Sequence, residues 1–423
     1  MTVIRKTASY ILLISTYIFT WLVSVLGRII PRRSWKPTGR IIVTGTIFNP
    51  NWYLSHITPL TRSGVEEVVL VVDEPLQPME GVLFACPPKW LSKMISPFAA
   101  KAIWMLYAGI RYKPDLYMGY NLVAGGCTAL VIASILGRPS CYQMTGGQLV
   151  LSTIDSDVET FEFVKAGKLR QWISKVIERL AIKVIKQFNL IIVRGNKGKT
   201  FLARYGIVEN VAIITGSVKV CNQSSQDKRS IDLVFVGRLN PIKQVDQFIR
   251  IVKAVSETIP SVKAVIVGDG PLMESLKIEV ERLGLAGNIE FLGKRHDVET
   301  ILARSRVFVL TSKSEGSSIA MAEAMAAGVA PVVADVGELS DLVKDGLNGY
   351  LIEPNNIDKY IKLVALLLND KVLWNQLSQR AIETSEKYCN LDIISIKWRQ
   401  SINDVIERMS GYHMVPRINE QTL

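Results

Sequence analysis

A chain of 423 residues with 48% hydrophobic and 21% charged residues holds enough apolar material for two or three packed domains, which excludes global disorder. Its net charge of +12 would by default point to nucleic acid, but the excess is local. Residues 1–40 hold seven basic residues (Arg5, Lys6, Arg28, Arg32, Arg33, Lys36, Arg40) and residues 81–114 hold five (Lys89, Lys93, Lys101, Arg111, Lys113), neither stretch has an acid, and the rest is neutral overall. Both basic stretches are strongly apolar, so an anionic membrane surface, and not nucleic acid, is the expected partner.

From Thr7 to Gly27 the chain has 21 residues without a charge. As a helix they would span ~31 Å, close to the ~30 Å hydrocarbon core of a bilayer. Trp21, Trp35 and the flanking arginines supply interface anchors. A signal peptide is the rival, since Arg5 and Lys6 make a basic start, but the apolar run is long and no A-x-A site comes after it. A buried core helix is the other alternative. Residues 1–36 are read as a membrane anchor helix with a basic flank, either spanning the bilayer or lying on it. The heavier cationic cluster on the carboxyl side argues that the chain beyond residue 36 stays on the cytoplasmic face.

The alternation of strands and helices begins after residue 40. RIIVTG (40–45) and EVVLVVD (67–73) read as buried parallel strands. Cys86 to Pro114 interleaves lysines with Trp90, Phe98, Trp104 and Tyr107, which fits either an amphipathic surface on anionic lipid or an ordinary helix pair. DLYMGYN (115–121), CYQMT (141–145), a basic amphipathic helix over 168–188 and NLIIVRG (189–195) come next. The polar stretch 220–230 is the best linker. A second run then starts: DLVFVG (232–237), KAVIVG (263–268), IEFLG (289–293), VFVLT (307–311), PVVAD (331–335) and GYLI (349–352), with helices between. Two such runs predict two facing Rossmann-like doubly wound α/β domains, with ligands at the carboxyl ends of the strands and in the cleft between. Five widely spaced cysteines without CxxC exclude a disulfide scaffold and a zinc site.

Ser314 to Pro331 (SEGSSIAMAEAMAAGVAP) is the most informative stretch. A buried strand precedes it and an Ala/Met-rich helix from Ile319 to Ala327 follows, with Ser317 or Ser318 as N-cap and Gly328 as stop. Glu315 therefore sits in the loop at a strand end and Glu323 about one and a half turns into the helix. Between them the helix N-terminus offers free N–H groups and a positive dipole end that suit a phosphate. Carboxylates on either side could accept from hydroxyls, which is the chemistry of a nucleotide sugar. Alone, Glu-x7-Glu is as consistent with exposed glutamates on an Ala-rich helix. Gly237-Arg238 at the first strand end and Lys243 at the next helix add a cationic pair suited to a diphosphate. Gly268 ends the second strand and Gly293 the third, the latter followed by Lys294, Arg295 and His296. GDGPLM lacks the third glycine of a dinucleotide fingerprint, and GNKGKT (195–200) is preceded by Val193 where a P-loop needs Gly.

Taken in order, VGRLNPIKQVDQFI, VGDGP, IEFLG, VFVLTSKSEGSSIAMAEAMAAGVAPVVA and ELSDLVKDGLNGYLIEP resemble the family 4 glycosyltransferases, retaining enzymes of the GT-B fold among the bacterial-type glycosyl transferases group 1. The likeness is dense over 231–370 and looser over 40–220, while the first 36 residues have no counterpart in the family's core. It implies an amino-terminal acceptor domain at 37–222, a nucleotide-sugar donor domain at 231–385, and a helix within 386–423 returning to the first domain. It also implies that Arg238 and Lys243 bind the donor diphosphate, that Glu323 accepts from the ribose hydroxyls, and that Glu315 contacts the transferred sugar. Glu315, Arg238 and Lys243 are the expected catalytic residues. Gly237, Gly268, Gly293, Lys294, Gly316, Ser317, Ser318 and Ile319 complete the donor site.

On the acceptor side the resemblance implies Gly45, Thr46, Asn121, Thr145 and Gly146. Many relatives carry a His where this chain has Thr145, and a Thr cannot carry positive charge. The family's Gly-rich first loop is replaced by VTGTIFNPNWYL, with only Gly45 for close approach. Family members are usually metal-independent, and the chain has only three histidines, so no metal or other cofactor is expected beyond the nucleoside diphosphate sugar as co-substrate. The expected activity is transfer of a sugar to a lipid-linked or membrane-proximal glycan. The rivals are a catalytically silent GT-B scaffold subunit and hydrolysis by the two carboxylates as acid and base.

Overall fold

A computed structural model of the chain describes residues 2–29, 35–45, 50–144, 168–219 and 229–412. Two compact units result: Met1–Thr215 together with Ile394–Leu423, and Gly216–Ile393.

The first unit is built on seven strands, β1 (Arg40–Thr44), β2 (Glu67–Val71), β3 (Val82–Phe84), β4 (Leu116–Tyr120), β5 (Ser140–Gln143), β6 (Leu190–Val193) and β7 (Val211–Ile213). They form one sheet in the order β3-β2-β1-β4-β5-β6-β7, and every pairing is parallel. The sequence patterns mark five of these strands. The two edge strands, β3 and β7, have three residues each, too short to show a period. The helices are α1 (Thr2–Ile29), α2 (Pro50–Thr61), α3 (Lys89–Met94), α4 (Pro97–Tyr112), α5 (Cys127–Leu136), α6 (Lys168–Ile185) and α7 (Asn196–Ala203).

Parallel strands buried on both sides need cover on both faces, and the side chains alternate accordingly. Ile42, Val69, Tyr117, Tyr142 and Ile191 point to one face, where α4, α5, α1 and α6 form the covering layer. Ile41, Val43, Met118, Cys141 and Ile192 point to the other. There they meet Tyr53, Ile57 and Leu60 of α2. Ile394, Trp398, Ile402, Val405 and Ile406 join them from the carboxyl-terminal helix Leu391–Ser410, whose Arg399 Nε donates to the Ser63 carbonyl at 2.8 Å.

The amino-terminal helix α1 is part of this packing. Leu13, Tyr17, Thr20, Ser24 and Gly27 recur at helical spacing and are buried against α5 and α6. Contact is close: a Cβ on Gly27 would lie 2.8 Å from Ser134 Cβ on α5.

The second unit has six strands, β8 (Ile231–Val236), β9 (Ala264–Val267), β10 (Ile289–Gly293), β11 (Ser305–Leu310), β12 (Ala330–Ala334) and β13 (Tyr350–Ile352). Their order is β10-β9-β8-β11-β12-β13, again all parallel. Helices α8 (Val245–Thr258), α9 (Met273–Arg282), α10 (Val298–Ala303), α11 (Ile319–Ala326), α12 (Leu339–Leu342), α13 (Ile357–Asn369) and α14 (Lys371–Cys389) surround it; Leu391–Ser410 is α15. Strand order reverses between β8 and β11, and in the first unit between β1 and β4. In open α/β sheets those switch points are where ligands bind, outside the carboxyl ends.

Three strand ends beside the second switch point are glycines in direct contact. Gly268 N–H donates to the Gly293 carbonyl at 2.8 Å, and Gly237 N–H to the Val267 carbonyl at 2.9 Å. Gly268 has φ +138°, and a Cβ there would lie 1.8 Å from the Gly237 carbonyl oxygen. Gly284 also has positive φ, +71°, but open space around it. Gly284→Ala is expected to cost about 1 kcal/mol, from backbone strain alone. Gly268→Ala should cost clearly more, because strand β8 must shift. Thermal denaturation of the two variants checks this, and equal shifts in Tm would show that the close approach does not limit stability.

Candidate active site

The turn after β11 is held from two sides. Thr311 Oγ1 donates to the carbonyls of Lys243 (3.2 Å) and Gln244 (2.9 Å), and Lys313 N–H donates to the Ile242 carbonyl at 2.8 Å. These bonds tie the end of β11 to the segment after β8. From the other side Gly337, with φ +54°, sits so close that a Cβ would lie 1.8 Å from the Glu315 carbonyl oxygen, and Glu338 N–H donates to the Gly316 carbonyl at 3.0 Å.

Within this frame Glu315 and Lys243 meet. Lys243 Nζ donates to Glu315 Oε1 at 2.5 Å, and Ser312 Oγ donates to the same oxygen at 2.6 Å. The Glu315 side chain is 8% exposed and that of Lys243 21%. Glu315 Oε2 has no partner among the described residues. Lys243 is placed by Asn240, whose Oδ1 and carbonyl both accept from its N–H (3.2 and 3.1 Å). The next residue, Gln244, takes the left-handed conformation at φ +46°, and Asn355 Oδ1 accepts from both Gln244 (3.2 Å) and Gln247 (2.9 Å).

Of the two serines, Ser318 is the N-cap of α11: its Oγ accepts from Met321 N–H at 3.2 Å. The N–H groups of Gly316, Ser317, Ser318 and Ile319 have no acceptor among the described residues. Arg238, just past β8, is exposed, and its guanidinium likewise has no partner among them. Free backbone donors, a free guanidinium and a half-used carboxylate thus share one switch point, an arrangement that receives an anion and accepts from hydroxyls.

Glu323 sits further along α11, partly buried. Burial pushes its carboxyl up to about 7, with the Glu299 charge on α10 adding to the rise. Gly237, Gly268 and Gly293 lie at the adjoining strand ends. Lys294 is exposed, and its neighbour Arg295 is tied to Asp297 at 2.8 and 2.7 Å. Lys294, like Arg238, has no side-chain partner among the described residues. The structural parts of Gly337 and Asn355 carry no sequence signal, since both act through loops distant along the chain.

In the first unit, Gly45 ends β1 at φ +151°, where a Cβ would lie 2.6 Å from Tyr120 Cβ. Asn121 follows β4 at φ +60°, and its carbonyl accepts from Gly125 (3.1 Å) and Gly126 (2.8 Å). Thr46, Thr145 and Gly146 lie outside the described residues. A cluster that sequence patterns did not mark stands near the ends of β5 and β6. Arg194, 5% exposed, donates to Gln143 Oε1 at 2.8 Å and the Ile214 carbonyl at 3.0 Å, with His56 Nδ1 3.3 Å away. Burial and that guanidinium hold the His56 imidazole well below its usual range, hence neutral. The visible trace was an Arg closing the apolar run LIIV. Among the described residues no group of three or more His, Cys, Asp or Glu could hold a metal ion.

Residues 221–387 match the family described as glycosyl transferases group 1. Over 149 residues the chain is 38% identical to the UDP-Gal:alpha-D-GlcNAc-diphosphoundecaprenol alpha-1,3-galactosyltransferase of Escherichia coli, covering 34% of this chain and 38% of that protein. Over 231 residues it is 28% identical to the poly(ribitol-phosphate) alpha-N-acetylglucosaminyltransferase of Staphylococcus aureus, covering 54% and 47%. The chain spans less than half the length of these relatives. The Anabaena HepE structure in complex with UDP-glucose superposes with a TM-score of 0.66 at 19% identity, over 88% of this chain and all of that one. At that identity the likeness establishes the fold, GT-B, alone.

Two consequences of this site are measurable. Removing the cation by Lys243→Met leaves a buried carboxylate with one hydroxyl partner, and a loss of roughly 2–4 kcal/mol is expected in urea denaturation. Glu323 should leave a pH signature. Between the ordinary value of 4.5 and about 7 the folded chain holds a proton that the unfolded chain has released. Its contribution is therefore present in acid and lost as pH rises through about 7. Glu323→Gln should be more stable than the parent at pH ~8, by up to about 3 kcal/mol, and little different at pH ~4. Parallel denaturation curves at the two pH values would refute the assignment.

Proposed function

We propose that this protein is a retaining glycosyltransferase that moves a sugar from a nucleoside diphosphate donor to a lipid-linked or membrane-proximal glycan at the cytoplasmic face of a membrane. The observation that carries this reading is Glu315, paired with Lys243 through one oxygen, at the same switch point as Arg238 and the N–H groups of Gly316 to Ile319, which have no partner among the described residues. The bond from the anomeric carbon to the diphosphate oxygen breaks, and its electron pair leaves with the diphosphate. Arg238, Lys243 and the α11 N-terminus meet the negative charge so released, doing without a metal. Glu315 accepts from a sugar hydroxyl and steadies the positive charge at the opening carbon. An acceptor hydroxyl then attacks from the face the diphosphate has left, and its proton passes to the departing phosphate oxygen. Gly45 and Asn121 at the first switch point, with Thr46, Thr145 and Gly146, are assigned to the acceptor side. The names of the relatives support this acceptor class, since one acts on a diphosphoundecaprenol-linked sugar and another on poly(ribitol-phosphate).

Purified protein given nucleotide sugars and membrane lipid extract should transfer sugar, and should slowly hydrolyse donor without acceptor. Glu315→Gln and Arg238→Ala should each lower kcat/KM about 10²–10³-fold. Binding without turnover of any nucleotide sugar would favour a silent scaffold instead. The ribose assignment has a separate test. Hydroxyls that donate to Glu323 favour its ionised form, so nucleotide binding near pH 6 should release close to one proton. Calorimetry in buffers of different ionisation enthalpy reads that proton, and Glu323→Gln should abolish it.

A further inference from the structure

The helix α1 is apolar on both of its faces. One face packs into the first unit against α5 and α6. The other is exposed: Ile11, Leu12, Ile18, Phe19, Leu22, Leu26 and Ile29 are between 42% and 73% accessible. The stretch Tyr10–Ile29 is long and apolar enough to cross a membrane by itself. Its docking is inconsistent with crossing. Tyr17 and Thr20 lie beside Cys127 at the start of α5, and Gly27 lies against Ser134 near its end. The helix therefore runs alongside α5, which itself covers the centre of the sheet. Near the midpoint of Tyr10–Ile29, Trp21 carries the Lys183 ammonium at 5.5 Å, and Arg28 donates to the Gln187 carbonyl at 3.1 Å. A spanning α1 would carry Lys183 and the sheet beneath α5 to the depth of the hydrocarbon, where a charge is costly.

The same helical layer continues through α5 to α4 and α3. Their outer side is also apolar: Trp90, Met94, Ile95, Phe98, Tyr107 and Ile110 are 44–74% exposed. Met94 to Phe98 form an uninterrupted exposed stretch between α3 and α4. Basic residues stand among them. Lys89 and Lys101 are paired with Glu74 and Asp73, but exposed Lys93, Arg111 and Lys113 have no side-chain partner among the described residues, and residues 81–114 contain no acid.

We infer that α1 lies in the plane of the membrane and forms, with α3 and α4, a single lipid-facing surface that seats the first unit on an anionic bilayer. Apolar side chains enter the acyl boundary while Lys93, Arg111 and Lys113 meet phosphate headgroups. This deepens the membrane part of the proposed function and does not depend on the transfer chemistry.

The full chain with an amino-terminal tag, expressed in cells, is tested in sealed inside-out membrane vesicles. A protease added outside should remove the tag and digest the folded units alike, because both lie on one side. A protected tag beside digested units would mean a spanning helix and would overturn the inference. On purified protein, flotation with phosphatidylglycerol-containing vesicles, without nucleotide, should fall at least tenfold for Leu22→Glu on α1 and for Ile110→Glu on α4. It should be unchanged for Ile278→Glu, equally exposed on α9, with Tm retained in all three. Loss confined to the α1 variant, or equal flotation with phosphatidylcholine alone, would refute the joint anionic surface. Vesicle binding is read separately from turnover, so a chain that floats but transfers nothing counts against the transferase reading alone.

Discussion

The ion pair between Lys243 and Glu315 organises the second unit's functional edge. It joins the segment after β8 to the turn after β11, the two strand ends between which the sheet reverses its order. A carboxylate with 8% of its side chain exposed would be costly without a cation, and the pair satisfies it through one oxygen while leaving the other open. The geometry needs backbones in near contact, which explains Gly337 behind Glu315 and Gly268 behind Gly237. Small residues there are the condition for bringing charged ones together in front.

A second constraint governs the first unit. An all-parallel sheet must be covered on both faces, and α1 supplies part of one cover although it is apolar enough to leave the protein altogether. Its polar but buried Thr20 and Ser24 and its small Gly27 fit the packed side, while the other side keeps long aliphatic residues. Arg194 shows the same economy in polar form. Its buried cation, near no carboxylate among the described residues, is met by an amide, a carbonyl and a neutral imidazole, which keeps the strand ends polar.

Much of this was legible in the residues. Period and length mark the long buried strands, because a strand covered on both faces must be apolar throughout. Ser314 to Pro331 was legible because its signals are local: a strand, a capping serine, Ala/Met-rich helix and a glycine stop. Arg238 and Lys243 could be marked as strand-end cations. Ser318 over Ser317 as N-cap was undecided, since the choice rests on backbone angles that neighbouring segments impose.

The sequence by itself determined the alternating α/β plan, the placing of cations and glutamates at strand ends, and the apolar character of residues 7–27, all of which come from spacing along the chain. Only the tertiary structure decided which of these meet. It paired Glu315 with Lys243 across 72 positions and drew in Ser312. It raised Glu323 to about 7 by burial. It also packed one side of α1 against α5 and left the other bare. The reason is common to all of these: a side chain's chemistry depends on its solvent and its neighbours, and those come from segments remote in sequence.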